Sequence, residues 1–243
     1  AIGGAMATRV SPDWHLRGRH TLYEQPGAAD VAATFWAPFL TAMTSVQRRE
    51  DIFFANENSL DGAPGVWVVS MGHLMGLFDQ PFLGIAPTRK IAMLRYAEFN
   101  RVLDGKIVET ALFCDLIHLM HQAGLTPLPP QTGQHLIQPG PRTHDGLMYD
   151  GAHDGSETLA LINRMIGDIQ ANSNSAENEA PREATPQAEL ALPWHDHIVW
   201  LVPDGIGATY TINRYVCPLF FSPIPRSGLL LPLPSFPLQT HLH

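Results

Sequence analysis

The chain has 243 residues, of which 45% are hydrophobic, so it is long enough for one large domain or two small ones with a real core. Its net charge is −8 and no run is rich in Lys and Arg, which argues against a nucleic-acid partner. Two distant cysteines, no signal-peptide pattern and no segment near the roughly 18 apolar residues of a membrane span predict a cytoplasmic protein with no membrane partner.

The first predicted element is an amphipathic helix over residues 28–43, where apolar side chains recur at helical spacing. Pro38 lies inside this helix and predicts a kink or a break, because proline cannot donate the backbone hydrogen bond of a helix interior. Residues 52–54 follow as a short strand or a final helical turn.

Three strands form the clearest pattern of the chain. Residues 66–78 are rich in β-branched and aromatic side chains, and their glycines predict bulges or sharp bends. Residues 90–102 and 106–114 predict two further antiparallel strands, joined by the turn Asp104-Gly105.

A short helix follows the third strand. The pattern predicts it over residues 115–123, with Gly124 as the residue that closes it. Residues 10–130 are therefore expected to form one domain, and the Pro-, Gln- and Gly-rich residues 131–153 a linker.

A second unit is predicted over residues 154–216. It opens with an amphipathic helix over 156–169, and the polar residues 171–187 predict disorder. A strand over 194–202 and a short helix over 205–215 are expected to follow.

The final segment, residues 217–243, is rich in Leu and Pro and follows no strand or helix period. This composition predicts a tail that is disordered or out of frame.

Asp115 is the first candidate for acid–base chemistry. It ends a strand whose faces are both mostly apolar, and burial in apolar surroundings raises carboxyl pKa values toward the range that a general base needs. The same residue precedes a predicted helix, and Asp is a favoured N-cap. Spacing alone leaves both roles open.

Two histidines and one arginine are secondary candidates. His73 lies among apolar residues of its strand, and His118 follows Asp115 by three positions, which places the pair on one helix face. Both histidines could equally be structural residues. Arg95 could anchor a substrate oxyanion or form a solvated cross-strand pair.

Cofactor and metal sites are not predicted. His195 and His197 can place two imidazoles on one strand face, but the spacing supplies no third ligand. Gly205-Ile206-Gly207 is too short for a dinucleotide-binding loop.

The order of several short motifs resembles the SnoaL-like polyketide cyclases of the nuclear transport factor 2-like superfamily. The motifs are a Gly-x-x-Pro-Thr loop (Gly84 to Thr88), a strand ending in Arg101, the hairpin Asp104 to Glu109, and Asp115 before a helix that ends Gln122-Ala123-Gly124. The second unit resembles an incomplete second copy of a tandem member.

This resemblance implies an α+β fold of the cystatin-like type. A curved antiparallel sheet covered by helices would form a cone-shaped pocket, followed by a partial second unit. The implied activity is cofactor-independent aldol cyclisation, or related enolate chemistry, on a hydrophobic ring-forming substrate. Asp115 would be the acid–base residue with His73 or His118 assisting, and the exposed sheet would pair in a homodimer.

One group of side chains is expected to line the substrate pocket: Phe35, Trp36, Phe39, Trp67, Met71, Met93, Arg95 and Phe113. The alternative is a non-catalytic module that binds a small molecule or dimerises. In that case Asp115 caps its helix and aromatic side chains fill the pocket.

Overall fold

A computed structural model of the chain describes residues 2–18, 23–57, 62–128, 155–175, 194–200, 204 and 209–211. The chain divides into two compact units. The first comprises residues 1–153 and 202–207, and the second comprises 154–201 and 208–243. The predicted linker at 131–153 and the predicted tail at 217–243 lie outside the described residues.

The first unit begins with three elements that the sequence pattern did not predict. Helix α1 (Ile2–Ala7) precedes strand β1 (Val10–Gly18) and the short strand β2 (Glu24–Pro26). In β1, Val10, Trp14 and Leu16 are buried. Their alternation is hidden in sequence because the register of β1 shifts between Val10 and His15.

The predicted helix over 28–43 is present in three joined parts. Helix α2 (Ala28–Val31) runs through a π-helical turn (Ala32–Trp36) into helix α3 (Ala37–Ala42). Pro38 lies in the first turn of α3. The wider π-turn before it accommodates the proline ring and its lack of a backbone N–H donor. The expected kink is therefore a local widening of one helix.

Four long strands complete the sheet. They are β3 (Met43–Glu57), β4 (Val66–Phe78), β5 (Ile91–Leu103) and β6 (Lys106–Cys114). The strand order is β2-β1-β6-β5-β4-β3, and every pair is antiparallel except β1 with β6, which are parallel. The three strands predicted at 66–78, 90–102 and 106–114 are confirmed to within one residue. Residues 52–54 belong to a 15-residue strand, longer than either alternative considered for them.

Helix α4 (Leu116–Gln122) follows β6, and Gly124 adopts the positive φ of 79° expected of the residue that closes a helix. The Gln122 side chain pairs with the backbone of β5 at a position beyond the end of β6. Its side-chain amide accepts a hydrogen bond from Met93 N at 2.8 Å and donates one to Met93 O at 2.7 Å. One side chain thereby provides hydrogen-bond partners for both backbone groups of Met93, which has no partner residue in β6.

The core lies between the helices and one face of the sheet. Leu74, Phe78 and Leu94 of the sheet pack under Val31, Phe35 and Phe39 of the helix. Since side chains alternate along a strand, the neighbouring odd-numbered residues of β4, β5 and β6 point to the other, outer face. The described part of the first unit is thus α+β, with a curved sheet covered by helices on one face, as predicted.

Two glycines of β4 lie opposite bulges of β3. The sequence predicted bulges or bends in the glycine-containing strand itself, but the extra residues belong to its partner β3. The register of the β3–β4 pair shifts between Thr44 and Gln47 and again between Glu50 and Ile52. A Cβ on Gly72 would lie 1.9 Å from Arg49 O, so only glycine permits the close approach of β3 at the second bulge.

The second unit is described in part. Helix α5 (Ser156–Ser175) is longer than predicted, so residues 171–175 are helical where disorder was expected. Once a helix has formed, each added residue gains a backbone hydrogen bond, so the helix extends into this polar stretch. Strand β7 (Val199–Trp200) pairs antiparallel with β8 (Thr209–Tyr210).

This hairpin corrects one prediction of the sequence. Residues 209–210 are extended, whereas a short helix was expected over 205–215, because cross-strand pairing with β7 overrides local preference. The other residues of that predicted helix, except Thr211, lie outside the described residues. Within the described ranges, no helix has the length and hydropathy needed to cross a membrane.

Candidate functional site

The residues predicted to line a pocket lie on two different faces of the sheet. Phe35 and Phe39 are buried beneath the helices, and their rings stack with centroids 5.9 Å apart. Phe82 packs against Phe39 at 5.5 Å, and Trp36 is half-buried beside them. These aromatic side chains fill the space between helix and sheet.

The remaining predicted pocket residues share the outer face of the sheet. Trp67 and Met71 of β4, Met93 and Arg95 of β5 and Phe113 of β6 are odd-numbered, whereas the core residues of these strands are even-numbered. The structure therefore brings five of the eight predicted pocket residues to one surface and places the other three beneath the opposite one.

An apolar groove of about 530 Å³ lies on this outer face. It is lined by six apolar and two polar side chains: Phe54, Trp67, Val69, Phe99, Ala111, Phe113, Asn56 and Glu57. Phe99 and Phe113 meet edge to face, with ring centroids 6.1 Å apart. Only Trp67 and Phe113 of this group were predicted, because the register that aligns β3 and β6 with β4 cannot be read from local sequence.

Asp115 is buried, and backbone N–H groups bind both of its carboxylate oxygens. Oδ1 accepts a hydrogen bond from His118 N at 3.0 Å, which makes Asp115 the N-cap of α4. Oδ2 accepts one from Asp204 N at 2.9 Å. Arg95 Nη1 lies 3.7 Å from the same oxygen. The capping role weighed in the sequence analysis is confirmed, and the catalytic role stays a prediction.

Asp204 and His121 are two members of this cluster that sequence reasoning missed. Asp204 is almost fully buried, and its Oδ2 lies 2.7 Å from His121 Nδ1. No local pattern signals the contact, because 83 residues separate the two side chains in the chain. The backbone around Asp204 belongs to the first unit.

His118 points into the same region from α4. It is buried, and burial, with a smaller contribution from the Arg95 charge, lowers the pKa of its imidazole. Gln122 Nε2 lies 3.3 Å from His118 Nδ1. The imidazole is therefore neutral at pH 7 and already has one polar neighbour.

His73 is the most unusual group on the outer face. It is only 7% exposed, and its Nδ1 lies 3.2 Å from Asp51 Oδ2. Its Nε2 is buried and has no hydrogen-bond partner among the residues that the structure describes. Burial is the main cause that lowers the pKa of this imidazole, and the charge of Arg95 lowers it further against the opposing effect of Asp51.

The ionisable side chains form a continuous row beside the groove. His73 is the cross-strand partner of Arg95, and Arg95 is adjacent to Asp115. Phe113 precedes Asp115 by two residues on the same face, a step of about 7 Å along a strand. The groove and the row thus adjoin on one surface, although Asp115 itself does not line the groove.

The Cys114 thiol is not a candidate nucleophile of this region. Burial raises the pKa of the Cys114 thiol to about 12, so the thiol stays protonated and is a poor nucleophile. Within the described residues, no three His, Cys, Asp or Glu side chains are arranged to hold a metal ion.

No protein-family model and no curated protein sequence matches the chain. Its structural neighbours include SnoaL-like polyketide cyclases and nuclear transport factor 2-like proteins.

Three of these neighbours illustrate the similarity. A proposed SnoaL-like polyketide cyclase from Jannaschia sp. CCS1 is 20% identical, with a TM-score of 0.39, and the match covers 51% of this chain and 80% of that one. AclR, a proposed hydroxylase from Streptomyces galilaeus, is 21% identical, with a TM-score of 0.42 over 52% and 73% of the two chains. IdmH, a proposed polyketide cyclase from Streptomyces antibioticus, is 17% identical, with a TM-score of 0.41 over 50% and 86%.

Proposed function

We propose that the first unit binds a flat hydrophobic molecule on the outer face of its sheet and transfers protons on it without a cofactor, as in polyketide cyclisation. One observation carries this proposal: the apolar groove adjoins a row of ionisable side chains formed by Asp51, His73, Arg95 and Asp115.

The groove suits a flat apolar ring system. Its volume of about 530 Å³ falls in the range of ordinary ligand sites, and its few polar groups lie at one end. Phe99 and Phe113 offer aromatic faces and edges, against which a planar ring can stack. A hydrophobic, ring-forming substrate matches this surface better than a sugar or a nucleotide would.

The row of ionisable groups supplies what enolate chemistry needs. A base must reach an acidic C–H, and a positive group must stabilise the oxyanion that develops. Arg95 provides the positive charge, and the base is one of the three predicted residues, Asp115, His73 or His118.

Two adjacent phenylalanines of β3 provide a test of the binding site. Phe54 lines the groove, whereas Phe53 is 47% exposed and does not. We expect the dye 1-anilinonaphthalene-8-sulfonate to bind with enhanced fluorescence, and Phe54→Ala to weaken this binding about tenfold, as the loss of one buried aromatic contact suggests. Phe53→Ala is the matched control. Equal affinities of the two variants would place the ligand elsewhere.

The proton transfer can be tested without the natural substrate. We expect the protein to accelerate exchange of the acidic α-proton of a bicyclic keto-ester in D₂O, followed by loss of its ¹H NMR signal. Polyketide cyclisation begins with the same proton abstraction. If the keto-ester binds but its exchange rate equals that in buffer, the protein is a binding module.

A second candidate function is a non-catalytic module that binds a small molecule or dimerises. Two observations favour it: Asp115 caps α4, and Phe35, Phe39 and Phe82 fill the space beneath the helices. In that case the groove would receive a second copy of the chain, giving the predicted homodimer. Sedimentation analysis of Phe113→Lys tests this alternative, since a charge in a dimer interface on the outer face would produce monomers. The wild-type dimer would also bind no dye, because the partner copy would occupy the groove.

A further inference from the structure

The second bulge of β3 places the Asp51 side chain next to His73. In the β3–β4 register Glu50 pairs with Gly72 and Ile52 with Met71, so Asp51 is the extra residue. Bulges often redirect a side chain in this way. The absent Cβ of Gly72 allows the close approach at this position, and Asp51 Oδ2 comes within 3.2 Å of His73 Nδ1.

This contact fixes the state of the imidazole. A carboxylate beside Nδ1 holds the proton of a neutral imidazole on that nitrogen and leaves Nε2 as a hydrogen-bond acceptor. In His73 that Nε2 is buried without a partner among the described residues. Buried polar atoms are nearly always hydrogen-bonded, so His73 Nε2 is a buried acceptor that a ligand group could engage.

Asp115 contrasts with His73 in this respect. Both oxygens of Asp115 already accept backbone hydrogen bonds, from His118 and Asp204. These bonds hold the Asp115 carboxylate in its capping position, although each oxygen keeps a second lone pair. His73 Nε2 can accept a proton without the loss of any hydrogen bond described here.

We propose that His73 is the general base of this site and that Asp51 is its positioning residue. This inference rests on the proposed function, because it names the group that performs the proton transfer suggested there. The substrate class is a hydrophobic carbonyl compound with an acidic C–H.

The proton and electrons balance as follows. His73 Nε2 takes the proton of the C–H bond, and the electron pair of that bond moves into the carbonyl to give an enolate. The imidazolium formed is stabilised by the Asp51 carboxylate, and the enolate oxygen by the nearby Arg95 guanidinium. After the new carbon–carbon bond forms, the imidazolium returns its proton to the alkoxide product.

Several charged groups face His73 and set its pH dependence. Asp51 and Arg49 approach from β3, Arg95 from β5, and His118 from α4. Because burial and the Arg95 charge lower the pKa of His73, the imidazole is unprotonated at neutral pH and competent as a base.

The test uses the full chain and the probe 5-nitrobenzisoxazole, a flat compound that has one acidic C–H. Removal of that proton breaks the N–O bond and releases a coloured cyanophenolate. We expect saturable turnover that falls as the pH is lowered through a pKa below 6.5. His73→Gln should lose about 10²–10⁴-fold of the rate, the usual contribution of a general base.

Asp51→Asn provides a readout that a purely structural role would not give. Because the Asp51 charge raises the pKa of His73, its removal should move the pH–rate inflection to lower pH and reduce kcat. Asp104→Asn, in the hairpin turn between β5 and β6, is the matched control that should leave both unchanged. If circular dichroism shows that His73→Gln does not fold, the pH–rate profile of Asp51→Asn tests the inference instead, and an inflection at the wild-type pH would overturn it.

The outcomes separate this inference from the proposed function. Loss of turnover in His73→Gln with retained turnover in Asp115→Asn supports His73. Retained turnover in His73→Gln overturns the inference, and loss only in Asp115→Asn assigns the base to Asp115. A wild-type chain that binds the dye in the Phe54-dependent manner but does not turn over the probe also overturns the inference and leaves the binding function intact.

Discussion

At the scale of single residues, two buried histidines make the stability of the first unit depend on pH. Burial lowers the pKa values of His73 and His118 below the unfolded value of 6.5. Above pH 6.5 both states are neutral and the full stability is present. As the pH falls below 6.5, the unfolded chain binds protons that the folded chain does not, so stability is lost.

This linkage predicts a specific difference between two variants. Between pH 7.5 and 5.5 the urea midpoint of the wild type should fall, and His118→Gln should show a smaller fall because one of the two linked groups is gone. His195→Gln, which changes an exposed histidine of the second unit, should behave as the wild type does. If the urea midpoints of the wild type and His118→Gln fell in parallel with pH, His118 would have the same pKa in the folded and unfolded states.

At the scale of the elements, the β3–β4 pair depends on the absence of a side chain at Gly72. A Cβ there would overlap the backbone oxygen of Arg49, and a backbone atom of a paired strand cannot move aside alone. The same close approach places Asp51 beside His73. Fold stability and the proposed base therefore depend on one backbone position.

Gly72→Ala should accordingly destabilise the domain by about 3 kcal/mol, the upper end of the costs of overpacking. Gly4→Ala is the control, since Gly4 lies in α1 with open space around it and alanine favours helix. Urea unfolding followed by tryptophan fluorescence measures both. A Gly72→Ala variant as stable as the wild type would mean that β3 can separate from β4 at little cost.

At the scale of the whole molecule, Asp204 connects a distant part of the chain to the sheet unit. Its N–H binds Asp115 and its carboxylate binds His121, although it falls within residues 154–216, which the sequence assigned to a second unit. The boundaries of the domains, the tandem arrangement and the cytoplasmic location stay predictions.

Asp204→Ala should lower the free energy of unfolding by about 1–3 kcal/mol, because it leaves His121 without its buried carboxylate. A chain ending at residue 153 should lose more, since the N–H bound to Asp115 is then also gone. Asp196→Ala, at an exposed carboxylate, is the control. Thermal unfolding of the three variants would contradict the proposed link if Asp204→Ala and Asp196→Ala melted together.

The sequence by itself determined three of the four long strands, β4, β5 and β6, and the α4 helix with its two capping residues. Residues 66–78 and 106–114 carry strand-forming side chains, and Asp115 and Gly124 have the chemistry that begins and ends a helix, so local preferences were sufficient. The resemblance of the motif order to a known family predicted the curved sheet covered by helices. The glycines of β4 indicated an irregular pairing, but not that the extra residues would lie in β3.

Only the tertiary structure decided which side chains meet. Asp51 reaches His73 because a bulge shifts the register of β3, and Asp204 reaches Asp115 across 89 residues of chain. The division of the predicted pocket between two faces follows from alternation along the strands and from helix packing on the even-numbered face. Register, bulges and long-range contacts are properties of the packed sheet, and no local run of residues encodes them.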